Sequence, residues 1–136
     1  MADNRPDLSD TERDVLKALW EHGPCPVRKL LEVFQDQGRL WAYTTLQTLL
    51  TRLTGKGYAR SEKSGTALNY EATLSKEEFL QDRLTALADD VCDGTSSPLM
   101  LALVEGGKLS AQEIEQLRAM LDHLEEEGKK PQKGDR

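Results

Sequence analysis

Between Trp41 and Glu71 the chain sets a helix with two unlike faces directly ahead of two short strands, and few folds accommodate that succession. At about 100° per residue, Leu46, Leu49, Leu50 and Leu53 fall at i, i+3, i+4 and i+7 of a helix read over Trp41 to Gly55, with Tyr43 beside them. Thr44, Thr45, Gln47, Thr48, Thr51 and Arg52 take the opposite side. Solvated helix faces are normally filled with Glu and Lys, which form helices more readily than Thr. This face carries no acid. Short hydroxyl and amide groups can lie against base edges and phosphates, where a carboxylate would be repelled, so the face suits a DNA major groove. Thr48, at its centre, is the candidate for closest approach to a base.

Lys56-Gly57 ends this helix, because glycine accepts the left-handed cap conformation without strain. Tyr58 to Lys63 and Thr66 to Glu71 alternate in part and flank the turn signal Ser64-Gly65, which predicts a β-hairpin with Lys63 near its tip. From Arg39 to Tyr70 the bases Arg39, Arg52, Lys56, Arg60 and Lys63 stand against the single acid Glu62, a net charge of +4, while the whole chain carries −6. An acidic chain is a poor general binder of nucleic acid, but here the positive charge is concentrated where phosphate contact is expected. Such a protein binds DNA by one confined face and is repelled elsewhere, which orients it.

Ser9-x-x-Glu12, Ser75-x-x-Glu78 and Ser110-x-x-Glu113 each fit a capping box, in which serine hydroxyl and glutamate carboxylate satisfy the open amides of a first helical turn. The first opens a helix over about Asp10 to His22 that buries Val15, Leu16, Leu19 and Trp20 and stops at Gly23-Pro24. A second helix begins near Pro26, a favoured first-turn residue, and carries Val27, Leu30, Leu31 and Phe34 on one face. Gln35 to Leu40 is the turn into the third. Three helices and a hairpin make a winged helix-turn-helix over residues 1–73. Its candidate DNA-binding residues are Arg28, Tyr43, Thr44, Thr45, Gln47, Thr48, Thr51, Arg52, Lys56, Arg60 and Lys63.

Beyond it the pattern is helical only. Lys76 to Cys92 aligns Leu80, Leu84, Leu87 and Val91 along one stripe before Asp93-Gly94-Thr95-Ser96 interrupts it. Pro98 to Val104 is apolar all round, and a short helix with no polar side must be enclosed. Ala111 to about Glu126 carries Ile114, Leu117, Leu121 and Leu124 in a narrow seam of coiled-coil spacing. A region this short encloses an all-apolar helix poorly by itself, and a second copy solves the problem. Residues 74–127 are therefore expected to be a helical dimerisation domain with Leu80, Leu84, Leu87, Leu101, Leu103, Leu117, Leu121 and Leu124 in a shared core. Residues 128–136, rich in Gly, Lys and Pro, are expected to be a disordered tail. The fold class is mostly α with a small β-hairpin.

Trp41-Ala42-Tyr43-Thr44-Thr45-Leu46, Thr48-Leu49-Leu50-Thr51-Arg52-Leu53 and Lys56-Gly57, together with Glu12-x-x-Val15-Leu16-x-x-Leu19-Trp20, Asp93-Gly94-Thr95 and Ser110-x-x-Glu113-Ile114-x-x-Leu117, resemble the penicillinase-repressor family of BlaI/MecI type. The resemblance covers roughly Leu8 to Glu126. It implies a homodimeric winged-helix repressor whose C-terminal helices dimerise and whose third helix reads a palindromic operator in double-stranded DNA. It also implies that Thr44, Thr45, Thr48 and Arg52 lie on the recognition-helix motif and Lys63 in the wing. Ala102-Leu103 stands where antibiotic-responsive members carry an Asn-Phe bond cut by a membrane-sensor protease, so induction by that cleavage does not carry over and an upstream sensor is left unidentified. The tail Lys129 to Arg136 lacks the cysteine cluster of copper-responsive relatives.

Enzymatic readings find little support. His22 and His123 have no neighbouring nucleophile and carboxylate pattern, His22-x-x-Cys25 offers two metal ligands where three or four are needed, and the glycines match no phosphate-cradling loop. No cofactor or metal is expected. Cys25 and Cys92 are too few for a disulfide scaffold and read as free thiols. No apolar run is long enough to span a membrane and no secretory stretch opens the chain, which points to the cytoplasm. The competing non-enzymatic reading is a winged-helix adaptor that binds another protein. Such contacts favour aromatic and large apolar anchors, and the free face of the third helix has Thr, Gln and Arg instead.

Overall fold

The structure, a computed structural model, describes residues 5–95 and 97–129. In chain order the elements are α1 (Asp10–His22), β1 (Cys25–Pro26), α2 (Val27–Asp36), α3 (Tyr43–Gly55), β2 (Ala59–Ser64), β3 (Ala67–Ala72), α4 (Lys76–Val91), α5 (Ser97–Gly106) and α6 (Ala111–Lys129). All three Ser-x-x-Glu motifs close both halves of a capping box, at the starts of α1, α4 and α6. α3 begins at Tyr43, two residues later than its periodicity predicts. Trp41 is held outside it, half-buried against Phe34 with ring centroids 4.7 Å apart and beneath the Arg39 guanidinium at 5.0 Å. At the other end Tyr58 N–H donates to Leu53 O at 2.9 Å and Gly57 N–H to Thr54 O at 3.1 Å. With Gly57 at φ 90°, these two bonds form a Schellman cap, which turns the chain straight from α3 into β2.

β2 and β3 pair antiparallel, and Ser64 opposite Ala67 closes a two-residue turn at Gly65-Thr66. The turn lies one residue later than predicted, because Gly65, at φ 65°, occupies the first central position, where the tight hairpin turns that match strand twist need a positive φ. A third strand joins them: Cys25 and Pro26 pair with Tyr70 and Asn69, giving the order β1-β3-β2. Pro26 is tolerated there because β1 is an edge strand and needs no second ladder donor.

One core unites these elements. α1 supplies Val15, Leu16, Ala18 and Leu19, α2 supplies Val27, Leu30 and Phe34, α3 supplies Leu46, Leu49, Leu50 and Leu53, and the sheet closes it with Tyr58, Ala59 and Tyr70. The structure divides into two compact units, 1–94 and 95–136. The division falls after α4, where the sequence reading put it at 73/74, because Phe79 of α4 packs edge-on to Trp20 and to Tyr58 at 5.4 and 6.0 Å. Trp20 Nε1 also donates to Leu74 O at 2.9 Å. The second unit contains α5 and α6, in which no residue is buried. α6 continues through Gly128 to Lys129, so these two residues of the expected tail are helical; residues 130–136 lie outside those described.

The segment before α1 straps three elements together. Tyr58 Oη donates to Pro6 O at 2.7 Å, Arg5 Nε to Gly57 O at 2.9 Å, and Lys56 Nζ to Asp7 O at 2.9 Å. On α4, Arg83 Nη1 donates to the Asp7 carboxylate at 2.6 Å and Asp82 pairs with Arg5 at 3.7 Å. Beneath the strap lies Glu12, only 2% exposed. Its Oε1 accepts from Ser9 N–H at 2.9 Å and from Lys56 Nζ at 2.7 Å. Burial pushes the Glu12 carboxyl up, but Lys56 and the Ser9 amide outweigh it and hold the pKa below the ordinary carboxylate value.

A lowered folded pKa means that this stabilisation is complete above the unfolded glutamate pKa of about 4.3 and is lost as pH falls through the folded value. Glu12→Gln should therefore flatten the acid limb of a stability-against-pH curve measured by thermal melting. At pH 7 the two partners should not be equivalent. Lys56→Met strands a buried carboxylate and should cost about 2–4 kcal/mol in urea unfolding, whereas Glu12→Gln leaves a lysine that can turn to water and should cost about 1 kcal/mol.

Candidate nucleic-acid interface

Burying four leucines on one side of α3 leaves Thr44, Thr45, Gln47, Thr48, Thr51 and Arg52 all exposed on the others, with Tyr43 exposed at its start. The hydroxyls are not idle. Thr48 Oγ1 donates to Thr44 O and Thr51 Oγ1 to Gln47 O, each at 2.9 Å, and Thr54 Oγ1 to Leu50 O at 2.8 Å. Threonine in a helix commonly bonds back one turn in this way. The donor hydrogen of each is then committed within the helix, and what remains for a ligand is an acceptor oxygen and a methyl group. That set can accept from a cytosine or adenine amino group and can pack on a thymine methyl.

The start of α3 contributes a feature the sequence reading passed over. Its N-cap is Ala42, with no side-chain hydrogen bond, and its first turn has no acid. The first amides and the positive end of the helix dipole are thus open toward an anion, the arrangement that receives phosphate at helix N-termini. The signal was legible, since alanine stands where Ser, Thr, Asp or Asn would cap.

The five cations counted between Arg39 and Tyr70 are not equally available. Arg39 Nη2 bonds Asp14 at 2.6 Å, Lys56 bonds Glu12, and Arg60 Nε bonds Glu71 across the β2–β3 pair at 2.8 Å. Lys56 is accordingly engaged within the fold, its ammonium directed toward the buried Glu12 carboxylate. Arg60 remains largely exposed, and Glu71 raises its already high pKa, chiefly through that hydrogen bond. Arg52 on α3, Lys63 on the wing and Arg28 near the start of α2 are exposed and have no ion pair among the described residues. Lys63 lies opposite Leu68, one pair from the hairpin turn.

Among the described residues no group of His, Cys, Asp and Glu could hold a metal ion, and no helix is long and apolar enough to cross a membrane. Cys25 is buried and its thiol pKa is pushed up by desolvation. A thiol held in its protonated form is a poor nucleophile.

The family model described as penicillinase repressor matches residues 8–123. The chain is 31% identical over 121 residues to an uncharacterised 16.5 kDa protein of Latilactobacillus sakei, covering 89% of this chain and 82% of that one. It is 26% identical over 117 residues to the penicillinase repressor of Bacillus licheniformis, covering 86% and 91%. Among solved structures it is similar to the monomeric form of Bacillus licheniformis BlaI in complex with the blaP half-operator, with 27% identity and a TM-score of 0.48 over 57% of this chain and 93% of that one. With the family pattern running from the residue before the first capping box into α6, the chain belongs to the penicillinase-repressor family, whose members are DNA-binding transcriptional repressors and not enzymes.

Proposed function

We propose that this protein represses transcription as a homodimer on a pseudo-palindromic operator in the cytoplasm, with α3 in the major groove and the β2–β3 wing on the phosphate backbone. The observation that carries the reading is the face of α3: exposed, free of acids, and fixed in direction by the leucines beneath it. Tyr43, Thr44, Thr45, Gln47, Thr48, Thr51 and Arg52 form the reading surface. Arg28, Arg60 and Lys63 supply phosphate contacts around it. The penicillinase repressor of Bacillus licheniformis, by its name, has a function of the same kind.

Homodimer formation is supported by apolar surface that the single chain leaves in water. Leu80, Leu84 and Leu87 on α4, Leu101 and Leu103 on α5, and Leu117, Leu121 and Leu124 on α6 are between 38% and 64% exposed. Complete burial of a leucine side chain is worth about 1.5–3 kcal/mol, so a second copy that covers even part of this set gains substantially. A two-fold protein then matches a two-fold operator, with half-sites one helical turn or a multiple of it apart.

DNA recovered by selection from a random pool supplies the substrate for two titrations. In the first, Lys63→Ala should weaken all sequences alike and reduce the slope of log K against log salt by about one, while Lys56→Met should leave that slope unchanged. Thr48→Ala should cost about 1–3 kcal/mol at one base position, and Thr48→Val, which keeps the methyl, should cost less. Intact binding by the combined Thr44→Ala, Thr48→Ala and Arg52→Ala variant would show that α3 is not the reader. In the second, Leu121→Asp should shift the dimer to monomer in analytical ultracentrifugation at micromolar concentration, with operator affinity falling in parallel because the second half-site is no longer tethered. A wild-type monomer under those conditions would overturn the homodimer.

A further inference from the structure

We infer that the cleft bounded by α1, α2 and the first residue of α4 is a binding site for a small planar organic anion. It has a volume of about 330 Å³, the lower end of the range for small-molecule pockets and suited to a one-ring ligand. Trp20, partly exposed, provides an aromatic wall, with only an edge of the buried Phe34 reaching the cleft. Three cations converge on it, Lys17 from α1, Arg39 from the α2–α3 turn and Lys76 from α4. Two acids also line it, but Asp14 is already neutralised by Arg39 Nη2 at 2.6 Å, which leaves Glu21 against Lys17 and Lys76.

Arg39 gives the site its chemistry. Its guanidinium is fixed from one side by Asp14 and lies over the Trp41 ring at 5.0 Å. Its Nη1 is the one buried side-chain nitrogen or oxygen among the described residues with no hydrogen-bond partner. An unsatisfied charged donor of this kind is rare in a folded protein and calls for an acceptor. A carboxylate entering the cleft pairs with the Lys17 ammonium while its ring packs on Trp20, and a turn of the Arg39 guanidinium, whose side chain is 40% exposed, brings the buried Nη1 out to it. The winged-helix fold uses Trp20 and Phe34 in its packing and the Arg39–Asp14 tie, but gives Lys17 and Lys76 no role. The location matters all the same, since Arg39 stands three residues before the N-cap of α3.

The only two tryptophans in the chain, Trp20 and Trp41, flank the cleft and its arginine, so intrinsic fluorescence of the full-length protein reads occupancy directly. Titrated with sodium benzoate at constant ionic strength, the signal should change and saturate with a Kd on the order of 1 mM or tighter. Benzyl alcohol, which has the ring without the charge, and inorganic phosphate, which has the charge without the ring, should each bind about tenfold more weakly or worse. Lys17→Gln and Lys76→Gln alter exposed side chains with no ion pair among the described residues; combined, they should weaken benzoate several-fold without lowering the melting temperature. Arg39→Gln should abolish saturation. A linear, non-saturating response to benzoate, or an unaltered titration in the double lysine variant, overturns the site. Equal affinity for phosphate or for benzyl alcohol overturns the planar-anion class.

Discussion

Burial of Leu46, Leu49, Leu50 and Leu53 against α1 and α2 is the constraint on which the rest of the molecule depends. A helix is a nearly rigid cylinder, so once one face is committed to a core the directions of the others follow. Rotating α3 by a single residue would drive a threonine or glutamine into the position of a leucine, adding an unsatisfied polar group to the loss of apolar contact. The core therefore sets the azimuth of the polar face before any ligand is present. The Schellman cap at Lys56-Gly57 then carries the same alignment into the wing, because only the three residues Lys56 to Tyr58 lie between α3 and β2 and two of them are fixed by the cap.

What could be read from residues alone was whatever is encoded locally. Capping boxes, the leucine spacing of α3 and the glycine-turned hairpin each involve partners within a turn or two; the boxes closed and the leucines of α3 are buried as their patterns indicate, and the hairpin formed with its turn one residue later. Features set by distant partners were not accessible. The start of α3 shifted because Trp41 is held by Phe34, and the unit boundary moved past α4 because Phe79 finds Trp20 and Tyr58. β1 is two residues long and half proline, and it exists only because β3 lies beside it.

Charge shows the same limit at the candidate site. Counting residues assigns five cations to the segment from Arg39 to Tyr70, but the acids that neutralise Arg39 and Lys56 lie far back on α1. The field at the proposed DNA surface is carried mainly by Arg52, Lys63 and Arg28, with the uncapped amides of α3 adding to it. Only the Arg60–Glu71 pair could have been anticipated, from hairpin register. The inward bonding of the threonines was in principle legible too, since it is a local property of threonine in helices. At Thr48 and Thr51 it changes what the face offers from hydroxyl donors to methyls and acceptors.

The strap before α1 has a consequence for how the fold tolerates genetic change. Three of its ties end on main-chain carbonyls, those of Pro6, Asp7 and Gly57, and every residue type carries that oxygen. Replacing the side chain at position 6 or 7 leaves those acceptors in place, and drift along this stretch is correspondingly cheap for Tyr58 and Lys56. Scission is another matter: a single cut by a peptidase between residues 5 and 9 would release the acceptors for both side chains and the α4 contacts at once. The main-chain acceptors of Pro6 and Asp7 are thus robust to substitution and fragile to cleavage, while the ties made by the Arg5 and Asp7 side chains are lost to either.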